Sequence, residues 1–169
     1  MNMNDMVIIS VDDHISEPPD MFKKHLSGDD LASAPKFCTT PEGTNYWEYQ
    51  GMQMPPVGLN AVVGRVPEEY GAEPTALDQL RKGCYEPKAR VDDMNVNGVA
   101  ASVNFGSCVG FDGGRFHKAA GKEKSLIHMG AYNDWHIDEW CASQAGRFIP
   151  CALLPTWDMK ATVEEIKRM

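Results

Sequence analysis

Three side chains able to bind a metal ion or to move a proton stand together near the amino terminus, at Asp12, Asp13 and His14. They follow directly on an apolar run at residues 6–11, and a Glu-Pro-Pro turn at 17–19 then redirects the chain. Such a run predicts a buried strand over roughly 6–11, with the polar triplet at its exposed carboxyl end. Residues two apart in an extended chain face the same side, so we expect Asp12 and His14 to point together and Asp13 to point away.

A neighbouring carboxylate and imidazole supply two corners of a divalent metal site such as one for zinc. The same pair also suits general acid–base catalysis without a metal, and a D-x-H triplet alone is a common pattern. In parallel α/β folds, functional groups collect at the carboxyl ends of strands, which favours a functional interpretation here. The spacing by itself leaves metal binding, acid–base catalysis and a purely structural role open.

The rest of the chain predicts alternating helices and strands. The pattern predicts helices over residues 20–26, 86–98, 123–144 and 159–169, and further strands over 99–105 and 148–154. Between them, residues 29–83 are rich in proline and have no sustained helical period, which predicts an irregular insertion outside the core. Within the insertion, Gln50-Gly51 between two short apolar runs predicts a hairpin turn.

This order of elements predicts an α/β fold with parallel strands and right-handed crossovers. It fits a doubly wound sheet or a (β/α)8 TIM barrel, although three strands cannot close a barrel that needs eight. An open three-stranded sheet would leave apolar edges exposed and prone to aggregation. We therefore expect the chain to be a fragment of a larger domain, with an insertion after strand one, or to be a truncated gene product.

Composition and charge narrow the classes of partner. The chain has 24 acidic and 16 basic residues and a net charge of -8, which argues against nucleic acid and membrane surfaces. Neither a signal peptide nor an apolar run of ~20 residues is present, so a cytoplasmic location is expected. Five cysteines without a C-x-x-C pair predict neither a disulfide framework nor a cysteine zinc site, and only Cys108 is a candidate reactive thiol.

Four stretches taken together resemble a known family. They are residues 8–14 with the turn at 17–19, residues 85–99 beginning YEPKAR, residues 132–135 (YNDW), and residues 146–155 beginning GRFIP. In this order and spacing they resemble the amidohydrolase-related family of metal-dependent TIM-barrel enzymes, the group that includes aminocarboxymuconate-semialdehyde decarboxylase. The resemblance covers most of the chain apart from the insertion.

The resemblance implies that residues 1–169 form the N-terminal portion of a single (β/α)8 TIM-barrel domain, with the insertion at about residues 29–83 after strand one. It also implies that this barrel holds one divalent metal, zinc or sometimes manganese, at its carboxyl face. It implies hydrolysis or decarboxylation of a small carboxylated substrate. The family's first pair of metal ligands falls on Asp12 and His14, in the acidic variant of the pattern. A further histidine and aspartate of the family would lie beyond Met169, so the catalytic residues are expected there and this chain alone is predicted to be inactive.

Three more polar residues lie near the predicted strand ends and are candidates for contact with substrate, namely Glu17, Asn104 and Ser107. The leading hypothesis is therefore a metal-dependent hydrolase or decarboxylase with a small-molecule substrate, and a homo-oligomer is compatible with it. The alternative is a non-catalytic remnant, or a subunit whose barrel another chain completes.

Overall fold

The computed structural model describes residues 2, 5–58, 62, 65–71, 74–110 and 113–169. The strands are β1 (Ile8–Ile15), β2 (Lys36–Thr39), β3 (Asn45–Tyr49), β4 (Met52–Pro56), β5 (Val99–Gly106) and β6 (Phe148–Ile149). The helices are α1 (Met21–His25), α2 (Gly28–Ser33), α3 (Pro87–Val96), α4 (Gly114–Asp134) and α5 (Met159–Arg168). A π-helical segment (Trp135–Cys141) prolongs α4, and none of the described helices is long and apolar enough to cross a membrane.

The main sheet is parallel, with the strand order β1-β5-β6. Helix α3 connects β1 to β5, and α4 with its π-helical segment connects β5 to β6. The predicted α/β alternation with parallel strands is confirmed. Because parallel strands place their carboxyl ends at one edge, the residues that follow β1, β5 and β6 lie at the same end of the molecule.

Strand β1 differs from its prediction in both length and burial. It extends through Ile15 instead of ending near Val11, because residues 13–15 continue to pair with β5. The prediction of a buried strand is wrong for its first half, where Ile8 is 51% and Val11 68% exposed. Strand β1 is at the end of the sheet order and has β5 as its neighbour, so its apolar side chains are covered on one flank only.

The prediction that residues 29–83 lie outside the core is also wrong. Strands β2, β3 and β4 form an antiparallel sheet, and its Trp47, Tyr49 and Met54 are at most 3% exposed within the main apolar cluster. A hairpin is present between β3 and β4, and both Gln50 (φ 52°) and Gly51 (φ 79°) have the positive φ its turn requires. Residues 59–61, 63–64 and 72–73 of the insertion are outside the described residues.

Helix α4 begins at Gly114, well before the predicted start at residue 123. Its backbone is interrupted at Gly121 (φ 72°, ψ 172°), a conformation that glycine adopts without a steric penalty. The apolar period on which the prediction was based belongs to the segment after this break. That segment carries the buried Met129, Tyr132 and Trp135, which face the core.

Strand β6 is shorter than the predicted 148–154. It ends at Ile149, where Pro150 has no N–H group to continue the ladder. The backbone of Leu153 is instead bound by a side chain, since its N–H donates to Asn133 Oδ1 (2.8 Å) and its oxygen accepts from Asn133 Nδ2 (2.9 Å). The segment 150–154 is thus extended chain anchored to α4.

Candidate functional site

Asp12 and His14 lie on one face of β1 near its carboxyl end. Asp12 Oδ1 is 3.7 Å from His14 Nε2, and the two side chains are 75% and 56% exposed. The His14 ring also contacts Phe105 of β5, with ring centroids 6.3 Å apart. The pair is therefore close together and open to solvent on the side of the sheet to which Phe105 points.

The donor types and spacing of this pair fit two corners of a metal site. Ligand bonds of ~2.0–2.2 Å in a tetrahedral site put neighbouring donor atoms ~3.4 Å apart, close to the 3.7 Å observed. Among the residues that the structure describes, no group of three or more histidine, cysteine, aspartate or glutamate side chains could hold a metal ion. Two protein ligands are fewer than the three that a catalytic zinc normally has.

Asp13 lies on the opposite face of β1. Its Oδ1 accepts a hydrogen bond from Ser10 Oγ (2.6 Å), and it lines a cavity of about 210 Å³ beside α3. Arg81, Arg90 and Asp93 line the same cavity. Asp13 therefore does not join Asp12 and His14.

Glu17 and Ser107 are brought together at the carboxyl ends of β1 and β5. Glu17 is 0% exposed; Oε2 accepts from Ser107 Oγ (3.0 Å) and Oε1 from the Cys108 N–H (2.9 Å). Burial raises the pKa of the Glu17 carboxyl, and these hydrogen bonds oppose the rise. Glu17 thus ties the end of β1 to the loop that follows β5.

Gly106 allows this close approach. A Cβ atom at position 106 would overlap Glu17 Oε1 and the Tyr132 hydroxyl, so the loop needs a residue without a side chain here. Tyr132 itself is buried, and burial followed by the nearby Glu17 charge raises the pKa of its hydroxyl. The sequence interpretation did not assign Tyr132 a place beside Glu17, although it lies in the YNDW stretch that carries the family resemblance.

Asn104, the third predicted substrate contact, faces the helices. Its Oδ1 accepts from Trp140 Nε1 (3.0 Å), and its backbone oxygen is bonded to His136 Nε2 (3.0 Å). It is 1% exposed and also donates to Ser102 Oγ. The structure therefore does not bring Asn104 to the face occupied by Asp12 and His14.

The remaining candidate side chains are packed inside. Cys108 is 1% exposed, and burial raises the pKa of its thiol well above the ordinary value, which disfavours a reactive thiolate at this position. His128 is 0% and His136 1% exposed, so both imidazoles are packed in the interior. His128 Nδ1 is bonded to the Tyr49 hydroxyl (2.7 Å), which anchors the antiparallel sheet to α4.

Arg90 is a site-adjacent residue that the sequence interpretation missed. Its Nη2 donates to the backbone oxygen of His14 (2.6 Å), although 76 residues separate the two in the chain. The only sequence signal was its position in the YEPKAR stretch, to which no role had been given.

Comparison with known proteins finds a similar fold among solved structures. No protein-family model matches the sequence, and no curated protein matches it. Among solved structures, the amidohydrolase map2389c from Mycobacterium avium subsp. paratuberculosis K-10 is similar, with a TM-score of 0.67 and 17% sequence identity. The similarity covers 97% of this chain but only 46% of that protein, so the chain spans about half its length. The fold of this chain is thus similar to that of about half of this amidohydrolase.

Proposed function

We propose that this chain carries part of the metal site of an amidohydrolase-type enzyme, a hydrolase or decarboxylase that acts on a small carboxylated substrate. The observation that carries the proposal is the Asp12–His14 pair, 3.7 Å apart near the carboxyl end of β1 in an amidohydrolase-like fold. In parallel α/β barrels this end of the strands carries the catalytic groups. Zinc is the preferred metal, and manganese is the second choice.

The roles of the two residues follow from their chemistry. Asp12 supplies a charged oxygen donor and His14 a neutral nitrogen donor, a combination that binds divalent cations. A metal ion bound here supplies Lewis acidity toward a substrate carboxylate or carbonyl, or a hydroxide near neutral pH. The negative charge of Asp12 lowers that acidity relative to a site of histidines alone.

The proposal needs at least one more ligand than the described residues supply. A catalytic zinc site normally takes three protein donors, so the catalytic constellation includes groups from polypeptide other than these residues. We infer that the 169-residue chain by itself binds metal weakly and is inactive. Glu17 holds Ser107, another proposed substrate contact, through the hydrogen bond between their side chains.

Equilibrium dialysis of the chain against Zn²⁺ tests this proposal. The native chain is expected to bind one ion weakly, and Asp12→Asn and His14→Gln should each abolish that binding. Asp13→Asn is the matched control, because it removes the same charge one residue away on the opposite face of β1. Equal Zn²⁺ binding by the native chain, Asp12→Asn and His14→Gln would refute the assignment.

A second candidate function is that of a non-catalytic subunit whose open sheet is covered by another chain. Two exposed apolar surfaces favour it. One is on β1, where Ile8 is 51% and Val11 68% exposed, and the other is the α5 stripe of Met159 (69%), Val163 (46%) and Ile166 (56%). Sedimentation velocity discriminates the two candidates: a stable assembly that binds no Zn²⁺ favours the subunit, and a Zn²⁺-binding species favours the enzyme.

A further inference from the structure

We propose that Arg90 is a positioning residue that holds the His14 backbone so that the imidazole stays beside Asp12. This inference rests on the proposed function, because it concerns the same metal-binding pair. The observation behind it is the hydrogen bond from Arg90 Nη2 to the His14 backbone oxygen (2.6 Å). Hydrogen bonds from a charged donor are about twice as strong as neutral ones.

Strand β1 has an irregularity at the residues that need to be aligned. Ser10 pairs with Ser102 and Asp13 with Asn104, so three steps along β1 match two along β5. One extra residue at positions 11–12 therefore forms a β-bulge, a feature that re-aims side chains and weakens the local ladder. Asp12 is inside this bulge and His14 lies just beyond it.

The chain on the far side of His14 is fixed. Ile15 is 2% exposed, the Ser16 N–H donates to the Cys84 oxygen (2.8 Å), and Ser16 Oγ donates to the Val57 oxygen (2.9 Å). The peptide group between His14 and Ile15 joins this fixed segment to the bulge. Arg90 binds the oxygen of that peptide group, so it sets the backbone orientation from which the His14 side chain projects.

Arg90 reaches this position from a firmly held helix, and at an energetic cost. It is in the first turns of α3, where its N–H donates to the Glu86 oxygen (3.0 Å). Its Nε is buried without a hydrogen-bond partner, which imposes a desolvation cost on the guanidinium. An arginine side chain in solvent would not bear this cost. The hydrogen bond to the His14 backbone oxygen therefore compensates for the burial of the Arg90 guanidinium.

Whether replacing Arg90 weakens or strengthens Zn²⁺ binding tells a positioning role apart from a purely electrostatic one. Removing a positive charge near a cation site strengthens cation binding if charge alone matters. If Arg90 positions His14, Arg90→Met, which keeps the packing of the aliphatic stem, weakens Zn²⁺ binding instead. Loss of residues that orient metal ligands typically costs 10–100-fold in affinity, so we expect at least about a tenfold weaker Kd.

The experiment is a Zn²⁺ titration of the whole chain, followed by the NMR signals of the His14 imidazole. Arg90→Met should bind about tenfold more weakly than the native chain, and Arg90→Lys should recover part of the affinity. Arg81→Met is the matched control, because Arg81 lines the same cavity and pairs with Asp93. Arg81→Met should bind as tightly as the native chain or more tightly.

These experiments distinguish a failure of the proposed metal site from a failure of the positioning role of Arg90. If Asp12→Asn and His14→Gln leave Zn²⁺ binding unchanged, the proposed function fails. If both abolish binding while Arg90→Met binds as well as the native chain or better, only the role of Arg90 is overturned. Thermal unfolding checks that each variant is folded, and the shorter, uncharged Arg90→Gln gives the same readout should Arg90→Met not fold.

Discussion

Replacing Asn133 by alanine should destabilise the packing of the last third of the chain. Asn133 is 0% exposed and makes three hydrogen bonds: Nδ2 donates to the oxygen of Leu153 and to Glu165 Oε1, and Oδ1 accepts from the Leu153 N–H. These bonds join α4 to the segment after β6 and to α5. Helix α5 is also attached by Arg168, which pairs with Asp134 of α4, and by Thr162, its only buried residue among those described.

The loss of stability in Asn133→Ala can be estimated from the backbone groups of Leu153 that lose their hydrogen-bond partner. Leu153 is 9% exposed, so in Asn133→Ala its N–H and oxygen lose their partners where water has little access. Each such buried group costs about 1–3 kcal/mol, which gives roughly 2–6 kcal/mol in total. A small domain is stable by only about 5–15 kcal/mol, so this loss is a substantial fraction of the total.

Urea unfolding followed by tryptophan fluorescence measures this loss. With a slope of ~1–3 kcal/mol per molar urea, the midpoint should fall by about 1 M or more. Asn97→Ala is the matched control: Asn97 donates to the Asp93 oxygen at the exposed end of α3, and its loss should change stability by about 0.5 kcal/mol or less. If Asn133→Ala unfolds at the same urea concentration as Asn97→Ala, the reasoning is wrong.

Three further predictions concern buried titratable groups. Burial raises the pKa of Glu17 above 4.5, so the stability it contributes is fully present below pH 4.5 and is lost as pH rises through the folded-state pKa. The urea midpoint of Glu17→Gln should therefore rise relative to that of the native chain as pH increases above 4.5, and the same pH dependence in both proteins would contradict this. Burial lowers the pKa of His128 below 6.5, so its contribution is present above pH 6.5 and is lost as pH falls through the folded-state pKa. His128→Gln should lose less stability on acidification from pH 6.5 to about pH 5, and an unchanged acid dependence would show that His128 is not responsible. Buried Cys108 should react with iodoacetamide far more slowly than exposed Cys151, as mass spectrometry of the alkylated chain would show; equal labelling would contradict its burial.

The predicted parts of the fold are those set by local signals. Pro87 at the first position of α3 and Asp158 at the start of α5 mark helix ends correctly, and Asp158 Oδ1 accepts the Ala161 N–H as a cap should. Gln50-Gly51 marks the turn between β3 and β4. Each of these signals acts within a few residues and is therefore readable without knowing the tertiary structure.

The errors arise where distant residues decide the structure. Strand β1 continues through His14 because its backbone pairs with Phe105, and that pairing does not depend on side-chain polarity. The insertion enters the core because Trp47 packs edge-on against Phe22 and Phe37, contacts that no periodic pattern reveals. Proline content was therefore a poor guide to burial in this segment.

The candidate site was predictable only where neighbouring residues in the chain determine it. Asp12 and His14 are two residues apart, a spacing from which strand alternation predicts side chains on one side, and the structure places them 3.7 Å apart although Asp12 is inside the β-bulge. Asn104 was placed near the substrate from its position late in a strand, but strand alternation turns it toward Trp140. The contact between Arg90 and His14 depends on how α3 packs beside β1, which the sequence does not state.

The most direct test of the central claim is an NMR titration with Zn²⁺ that observes the imidazoles of all five histidines. The metal assignment predicts that the His14 ring signals shift first and saturably, and that Asp12→Asn removes the shift. Shifts confined to other histidines, or a His14 signal that does not respond to Zn²⁺, would contradict it.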